Sequence, residues 1–117
     1  NISVELEIEP NVPTKLDDTI EIQLLRVIME ALINVRKHAC ASKVKVTLKL
    51  DEAHLIITVV DDGKGFNTSD CNNLIDSYGL KTMQERMQIV KGWANVYSEL
   101  GRGTTVRLMV PYENRGA

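Results

Sequence analysis

The chain is organised around residues 26–38, RVIMEALINVRKH. Apolar residues recur within and just before this stretch at three- and four-residue spacing, which places them on one stripe of an α-helix. The members of this stripe are Leu24, Leu25, Ile28, Ala31, Leu32 and Val35. We therefore predict one helix over residues 19–39, with Asp17 or Asp18 as its N-cap or first-turn acid.

The same helix carries a second, polar stripe. Glu30, Asn34, Lys37 and His38 stand at positions i, i+4, i+7 and i+8, so their side chains point the same way. Such a set can hold a magnesium–phosphate group, with Glu30 as general base and Asn34 as metal ligand, since an amide oxygen suits a hard cation. It is equally compatible with a solvated helix face whose basic end is favoured by the helix dipole. The stripe alone leaves both interpretations open.

The composition is that of an ordinary globular domain. The 117 residues are 44% hydrophobic and 26% charged, which predicts a single domain with a buried core. The net charge of -2 lacks the basic footprint of a nucleic-acid-binding protein, and no apolar run approaches membrane-spanning length. Cys40 and Cys71 lack metal-ligand spacing, so we expect free thiols in a reducing cytosolic compartment. Because the chain begins with Asn1 rather than Met and shows no signal peptide, we expect a piece of a longer protein.

Alternation of apolar and polar residues predicts strands around the long helix, and the first of them is expected to be half-buried. The predicted strands are residues 3–9, 43–50, 54–61, 93–99 and 104–111, and the predicted second helix is residues 80–91. The second and third strands, like the last two, are expected to form hairpins. This order predicts an α+β fold, a two-layer α/β sandwich in which a mixed, mostly antiparallel sheet carries the helices on one face.

Asp61 has the parity of the apolar residues Ile57 and Val59, so we expect it at the end of a strand on the apolar face. A carboxylate in that position is costly unless something donates a hydrogen bond to it, and a purine amine is one such donor. The glycines that follow, Gly63 and Gly65, would let a ligand approach the backbone. A tight turn with an aspartate cap explains the same residues without a ligand.

Two further glycine-bearing segments also have two interpretations. Gly79 and Leu80 either simply begin the second helix or form a hinge and an anion-binding helix N-terminus. Gly101 and Gly103 predict a hairpin turn by default, and Thr104 belongs to a nucleotide pocket only if the other motifs agree.

Four other residues are expected to have structural positions. We expect Trp93 and Phe66 in the core rather than stacked on a ligand, and His54 on the surface of a strand. Gly92 is expected to stop the second helix.

In combination, four segments resemble the ATP-binding catalytic domain of sensor histidine kinases, within the gyrase/Hsp90/histidine-kinase/MutL superfamily. Residues 30–39 resemble the N box of the nitrate-sensor (NarX/NarQ-like) branch, which also includes the cell-wall-stress and DesK-like sensors. Residues 61–66 resemble the G1 box, residues 78–86 the short G2 segment and residues 101–104 the final glycine-threonine box. The resemblance covers essentially the whole chain, and the four motifs occur in order and at suitable spacing, which makes the set far more specific than any single box.

The resemblance implies a Bergerat fold with Mg-ATP between the long helix and a lid at about residues 67–78. It implies that Asp61 binds adenine, that Asn34 binds Mg²⁺ and that Glu30 orients or activates the attacking group. The other residues implied to lie in the nucleotide site are Lys37 and His38 near the phosphates, Gly63, Gly65, Gly79 and Leu80 around the pocket and lid, and Thr104 near the adenine end.

Two departures from the family pattern concern the lid. Thr82 stands where a small residue, commonly glycine, is expected. The lid also lacks the longer glycine-rich segment of other branches, so we expect few phosphate contacts from this side.

A histidine kinase also needs a phosphoacceptor histidine on a dimeric helical hairpin. His38 lies within the N box and His54 within a strand hairpin, so the acceptor is expected on an upstream segment. By resemblance, the parent protein is a membrane-associated sensor with a response-regulator partner. This chain would be its cytoplasmic catalytic domain, monomeric in isolation and without a nucleic-acid partner.

Three other functions remain open at this point. The same pocket serves an anti-sigma-factor-type kinase with a protein serine as acceptor. A non-catalytic nucleotide-binding interaction module is another possibility, although the intact Glu30, Asn34 and Asp61 argue against it. A plain α/β scaffold with coincidental boxes would bind no adenine nucleotide.

Overall fold

The computed structural model describes residues 2–65 and 79–112, with the side chains of His38 and Ala39 outside that description. Within these residues the chain forms five strands and two α-helices, the first of which continues into a π-helical turn. In chain order they are β1 (Ser3–Ile8), α1 (Asp18–Asn34), the π-helical turn (Val35–Ala39), β2 (Lys43–Leu50), β3 (His54–Asp61), α2 (Leu80–Ile89), β4 (Trp93–Glu99) and β5 (Gly103–Pro111).

The five strands form one sheet in the order β1-β2-β3-β5-β4. β1 and β2 are parallel because α1 carries the chain back between them, whereas the other neighbouring pairs are antiparallel. α1 packs over β3, α2 packs over β4, and the two helices contact each other. The predicted α+β fold, a mixed and mostly antiparallel sheet under helices, is confirmed.

The core lies between the helices and one face of the sheet. Alternate residues of β3 and β5 point into it, and both strands sit at the centre of the sheet. The largest fully buried side chains are Leu55, Ile57, Met83, Met87, Leu108, Val27, Val59 and Val110. Because Asp61 continues the inward parity of β3, this packing carries its carboxylate to the helix side of the sheet.

α1 begins as the sequence predicts and ends differently. Asp17 is the N-cap and accepts a hydrogen bond from the Thr19 N–H at 3.2 Å. The predicted last turn is π-helical, and Cys40, with a φ of 50°, ends it in the left-handed conformation. π-Helical turns widen a helix locally and are common at functional sites. The last part of the N box therefore differs in geometry from an ordinary α-helix.

Two predictions of burial are wrong, one for the apolar residues of β1 and one for Leu25, because nothing among the described residues covers them. The side chains of Val4, Leu6 and Ile8 in β1 are 52–61% exposed, although a half-buried strand was expected. β1 is an edge strand, and the helices pack over strands nearer the centre of the sheet. Leu25, expected in the buried stripe of α1, is 61% exposed because it lies on the helix flank that faces away from the sheet.

Trp93 is exposed rather than part of the core, contrary to prediction. Its neighbour Ala94 takes the inward position of β4, so Trp93 lies on the outer face of the sheet. There the indole ring meets the His54 ring edge to face, with centroids 5.5 Å apart. His54 is on a strand surface as expected, and is only half-exposed because of this contact.

α2 ends at Ile89, two residues before the predicted end. Lys91, with a φ of 60°, takes the left-handed conformation at the end of the helix, although Gly92 was expected to stop it. The Gly92 N–H donates to the Met87 carbonyl at 2.8 Å, and a Cβ at Gly92 would collide with the Met109 carbonyl oxygen. Gly92 is therefore required for close packing against β5 rather than for stopping the helix.

Among the described residues, we find no helix with the length and apolar content that crossing a membrane requires.

Candidate functional site

The polar stripe of the long helix is present and graded in burial. Asn34, the last residue of α1, is only 5% exposed, whereas Glu30 is half-buried and Lys37 is exposed. Burial of an amide at a helix end is costly unless it is bonded, and Asn34 has a bonded partner here. The backbone of His38 belongs to the π-helical turn, whereas its side chain lies outside the described structure. The helix therefore presents an acid and a sheltered amide one turn apart.

The Glu30 side chain lies against Gly79, the residue directly before α2. Gly79 precedes α2 with a φ of 71°, a conformation that favours glycine, and its carbonyl accepts from the Met83 N–H at 2.9 Å. A Cβ built on Gly79 would stand 2.7 Å from the Glu30 Oε1 atom. Leu80 follows as the first residue of α2 and is half-buried. The N box and the start of the G2 segment thus meet at the Glu30 carboxylate.

Asp61 is the buried acid of the site. It is 4% exposed, and its Oδ1 atom accepts a hydrogen bond from the Gly63 N–H at 2.8 Å. Burial raises the pKa of the Asp61 carboxyl above its ordinary value, while bonds from the Gly63 and Thr104 backbone N–H groups oppose this rise. The carboxylate is therefore held in one orientation by the backbone, in a place where burying a charge is costly.

Thr104 lies beside Asp61 in the neighbouring strand. The two residues are directly paired in the β3–β5 ladder, and Thr104 is 3% exposed. Its hydroxyl group shares a hydrogen bond with the Ser98 hydroxyl at 2.9 Å. The sequence analysis placed Thr104 near Asp61 only by family resemblance, and the strand register provides a physical reason for that proximity.

The G1 turn and the glycine-threonine turn pack directly against each other. A Cβ at Gly65 would collide with the Glu99 carbonyl oxygen, and one at Gly103 would collide with the Asp61 carbonyl oxygen. The Gly101 N–H also donates to the Lys64 carbonyl at 2.7 Å. The side-chain position of Gly65 is thus filled by protein backbone, so the packing of the two turns is enough to require a glycine here. The place of Gly65 beside a ligand stays a prediction.

The sequence analysis missed Asp62, Ser42 and Ser98 as contributors to the site. Asp62 accepts hydrogen bonds from Ser42 and Lys43, at the start of β2, and this draws its pKa down to about 2. A second aspartate directly after Asp61 weakly indicates a carboxylate that accepts backbone N–H groups, but the sequence does not show which N–H groups these are. Ser98 would have been found from the register of the last hairpin, in which it faces Thr104.

The lid and its flanks lie outside the described residues. This applies to the predicted lid at residues 67–78, to Phe66, to Tyr78 and to Cys71. Thr82, the departure from the family pattern, is exposed on α2. Cys40 is a free thiol, as predicted.

The residues present fit a magnesium ion that is bound together with phosphates. Among the described residues, no group of three or more His, Cys, Asp or Glu side chains forms a metal cage. Mg²⁺ retains water and usually accepts only one or two protein oxygens beside substrate phosphates, so one sheltered amide suits it. Asn34, buried at the end of the helix that carries Glu30, supplies such an oxygen.

The sequence matches the family of histidine kinase-, DNA gyrase B- and HSP90-like ATPases over residues 19–114. This chain belongs to that family. The match spans the segments that contain all four boxes.

Two curated relatives are sensor histidine kinases. The chain is 38% identical over 110 residues to LiaS of Bacillus subtilis (strain 168), covering 94% of this chain and 29% of LiaS. It is 40% identical over 97 residues to the oxygen sensor histidine kinase NreB of Staphylococcus carnosus (strain TM300), covering 83% of this chain and 28% of NreB. The predicted resemblance to the ATP-binding domain of sensor histidine kinases, including the cell-wall-stress branch, is confirmed, and the chain spans less than a third of these relatives' length.

Solved structures agree with this assignment. The blue-light activated histidine kinase of Erythrobacter litoralis EL346 matches with a TM-score of 0.72 and 26% identity, covering 97% of this chain and 36% of that one. The histidine kinase AdeS of Acinetobacter baumannii matches with a TM-score of 0.76 at 18% identity, covering 97% and 55% of the two chains. At that identity the second match shows the shared fold alone.

Proposed function

We propose that this chain binds Mg-ATP and donates the γ-phosphate to a histidine on the dimerisation helical hairpin of a two-component sensor kinase. The observation that carries this proposal is the buried Asp61 carboxylate, whose Oδ1 atom the Gly63 N–H holds at the end of β3. The contact between Glu30 and Gly79 supports it, because it joins the long helix to the start of the second.

Asp61 is the proposed adenine-binding residue. Its Oδ1 atom already accepts the Gly63 N–H, so its remaining acceptor capacity is available to an exocyclic amine. A charge-assisted bond from that amine would offset part of the cost of burying the carboxylate. Thr104, in the adjacent strand, is proposed to line the same end of the pocket.

The phosphates are proposed to lie along the polar stripe of the long helix. Asn34 would hold Mg²⁺, which neutralises phosphate charge when bound. Lys37 and His38, one turn further on, are proposed to contact phosphate oxygens, and Gly79 and Leu80 would flank them from the start of α2.

The chemistry would be an in-line transfer of the γ-phosphoryl group. A nitrogen of the acceptor imidazole attacks phosphorus, the bond to the ADP oxygen breaks, and ADP leaves. The Glu30 carboxylate, positioned against Gly79, is proposed to orient the acceptor imidazole and take up its second-nitrogen proton. The chain's main contribution is positioning and charge neutralisation.

Partners and location are proposed from the family. The acceptor histidine would be on the parent protein's own dimerisation domain, and a response regulator would receive the phosphate. The parent would be a membrane sensor with this domain on the cytoplasmic side, and the isolated domain is expected to be monomeric.

The role of Glu30 is tested by adding the parent's acceptor helical hairpin to the chain and measuring its phosphorylation. We expect Glu30→Gln to bind ATP with wild-type affinity and to transfer phosphate about 100-fold more slowly, because the amide cannot accept a proton. Glu85→Gln on the exposed side of α2 is the matched control and should retain the wild-type rate.

A full transfer rate in Glu30→Gln would remove Glu30 from the chemistry. The linkage formed identifies the acceptor, because phosphohistidine is lost in acid whereas phosphoserine survives it. An acid-stable product on a protein serine would favour the anti-sigma-factor-type kinase instead.

A further inference from the structure

Asp62 makes a set of hydrogen bonds that the proposed chemistry does not use. Its Oδ1 atom accepts from the backbone N–H groups of Ser42 at 2.8 Å and Lys43 at 2.9 Å, and its Oδ2 atom accepts from the Ser42 hydroxyl at 2.7 Å. Its own N–H donates to the Lys43 carbonyl at 3.2 Å. Four bonds therefore tie one exposed residue to two consecutive residues at the start of β2.

These bonds connect the two halves of the proposed site. On one side, Asp62 stands between Asp61 and Gly63 in the chain, and the Gly63 N–H donates a hydrogen bond to the Asp61 carboxylate. On the other side, Ser42 follows the π-helical turn Val35–Ala39, which continues from Asn34. The segment that would bind adenine is thus fastened to the chain that leaves the phosphate-binding helix.

We propose that Asp62 is a positioning residue that sets the orientation of Asp61 and Gly63 relative to the end of the N-box helix. This inference rests on the proposed nucleotide-binding function and deepens it. Asp62 would touch no part of the nucleotide and would act through its two neighbours and through Ser42.

Asp51 shows what an aspartate with a merely local role looks like in the same hairpin. Its Oδ1 atom accepts from the Ala53 N–H at 2.8 Å and the His54 N–H at 2.7 Å, so it caps the turn at the opposite end of β2 and β3. Its partners are two and three residues away, whereas those of Asp62 are 19 and 20 residues away. Asp62 therefore joins separate segments, and Asp51 closes a single turn.

The strands themselves do not depend on Asp62. Val44 and Asp61 are paired in the β2–β3 ladder, and the ladder continues through Leu50 and Leu55. Loss of the Asp62 carboxylate should leave this ladder in place and relax the turn after β3 and the segment before β2. A displaced Asp61 carboxylate would bind adenine less well, since binding groups must be held closely to be effective.

The experiment measures ADP affinity by calorimetry on the 117-residue chain, well below its unfolding temperature. We expect Asp62→Ala to weaken ADP binding by about tenfold. Asp62→Asn should recover part of the loss, because its amide oxygen can still accept the Ser42 and Lys43 N–H groups that now share Oδ1. Ser42→Ala, which removes only the hydroxyl bond, should weaken binding less than Asp62→Ala does. Asp51→Ala is the control: it should lower the unfolding temperature without changing the affinity for ADP.

The outcomes separate the positioning role of Asp62 from the proposed nucleotide-binding function. Wild-type affinity in Asp62→Ala, with the wild type binding ADP, would overturn the positioning role alone. Equal losses of affinity in Asp62→Ala and Asp51→Ala would also overturn it, because the effect would then follow general stability. No binding of ADP by the wild type would overturn the proposed function, and this inference with it. In the ligand-free chain, a shifted Thr104 amide resonance in Asp62→Ala, and not in Asp51→Ala, supports the positioning role, because Thr104 is paired with Asp61 but lies far from Asp62 in the sequence.

Discussion

Asp61 and Asp62 are adjacent, yet their surroundings shift their pKa values in opposite directions. Burial raises the pKa of the Asp61 carboxyl above 3.8, whereas hydrogen bonds from Ser42 and Lys43 lower that of Asp62 to about 2. The two pKa shifts therefore have opposite effects on how the stability of the fold changes with pH. The stabilising contribution of ionised Asp62 is complete above pH 3.8 and is lost as the pH falls towards about 2, while protonation of Asp61 favours the folded state.

A pH titration of side-chain carboxyl carbons by NMR measures both shifts without any ligand. We expect the Asp61 midpoint above 3.8 and the Asp62 midpoint near 2, with the folded signals otherwise retained. An Asp61 midpoint at or below 3.8 would show that its N–H donors outweigh its burial, and would weaken the case for an amine-binding acid at this position.

Single residues differ in how far their roles could be predicted. The inward position of Asp61 follows from parity alone, because side chains alternate along a strand. The partners of Asp62 could not be predicted, because they depend on the register between β2 and β3 and lie about twenty residues away in the chain. The packing role of Gly65 could not be predicted, since the turn that fills its side-chain position belongs to another hairpin.

At the level of elements, the start of α2 determines where the Glu30 carboxylate can lie. Gly79 combines a φ of 71° with a position in which a Cβ would stand 2.7 Å from Glu30 Oε1. Gly101 has a similar φ of 79°, but a Cβ there would meet nothing within 4 Å. A side chain at either position would strain the backbone, but only a side chain at position 79 would also displace Glu30.

We expect Gly79→Ala and Gly101→Ala to lose comparable stability in urea unfolding, about 1–2 kcal/mol each for an alanine in the left-handed region. Only Gly79→Ala should also slow phosphate transfer to the acceptor hairpin, because its methyl group moves the Glu30 carboxylate. Equal transfer rates in the two variants would show that the contact between Gly79 and Glu30 has no catalytic consequence.

Element boundaries were predictable where a local signal marks them. The hairpin of Lys43–Leu50 and His54–Asp61 has the predicted bounds, because strict alternation and a short connection define it. The π-helical end of the long helix carries no comparable local signal, since its residues are compatible with an ordinary α-helix. The end of α2 at Ile89 was missed because Lys91, not a glycine, takes the left-handed conformation.

At the scale of the whole molecule, the sequence patterns show which faces are apolar but not which of them are covered. β1 and Leu25 follow the same periodicities as buried residues, yet both stay exposed. The helices pack over strands other than β1, and Leu25 lies on the flank of α1 that faces away from the sheet. The convergence of the boxes likewise depends on the sheet order, in which β5 lies between β3 and β4 and brings Thr104 beside Asp61. The fold class was predictable from element order, whereas these contacts required the assembled sheet.

The most direct test of the account is a calorimetric titration of Mg-ATP into the wild type, Asp61→Asn and Asp51→Asn. Asparagine at position 61 can still accept the Gly63 N–H, so it would turn its amide N–H₂ towards the adenine amine and set donor against donor. We predict that the wild type and Asp51→Asn bind Mg-ATP, whereas Asp61→Asn shows no detectable heat while unfolding at or above the wild-type temperature, because it no longer buries a charge. Wild-type affinity in a folded Asp61→Asn variant would contradict the assignment of this site to adenine.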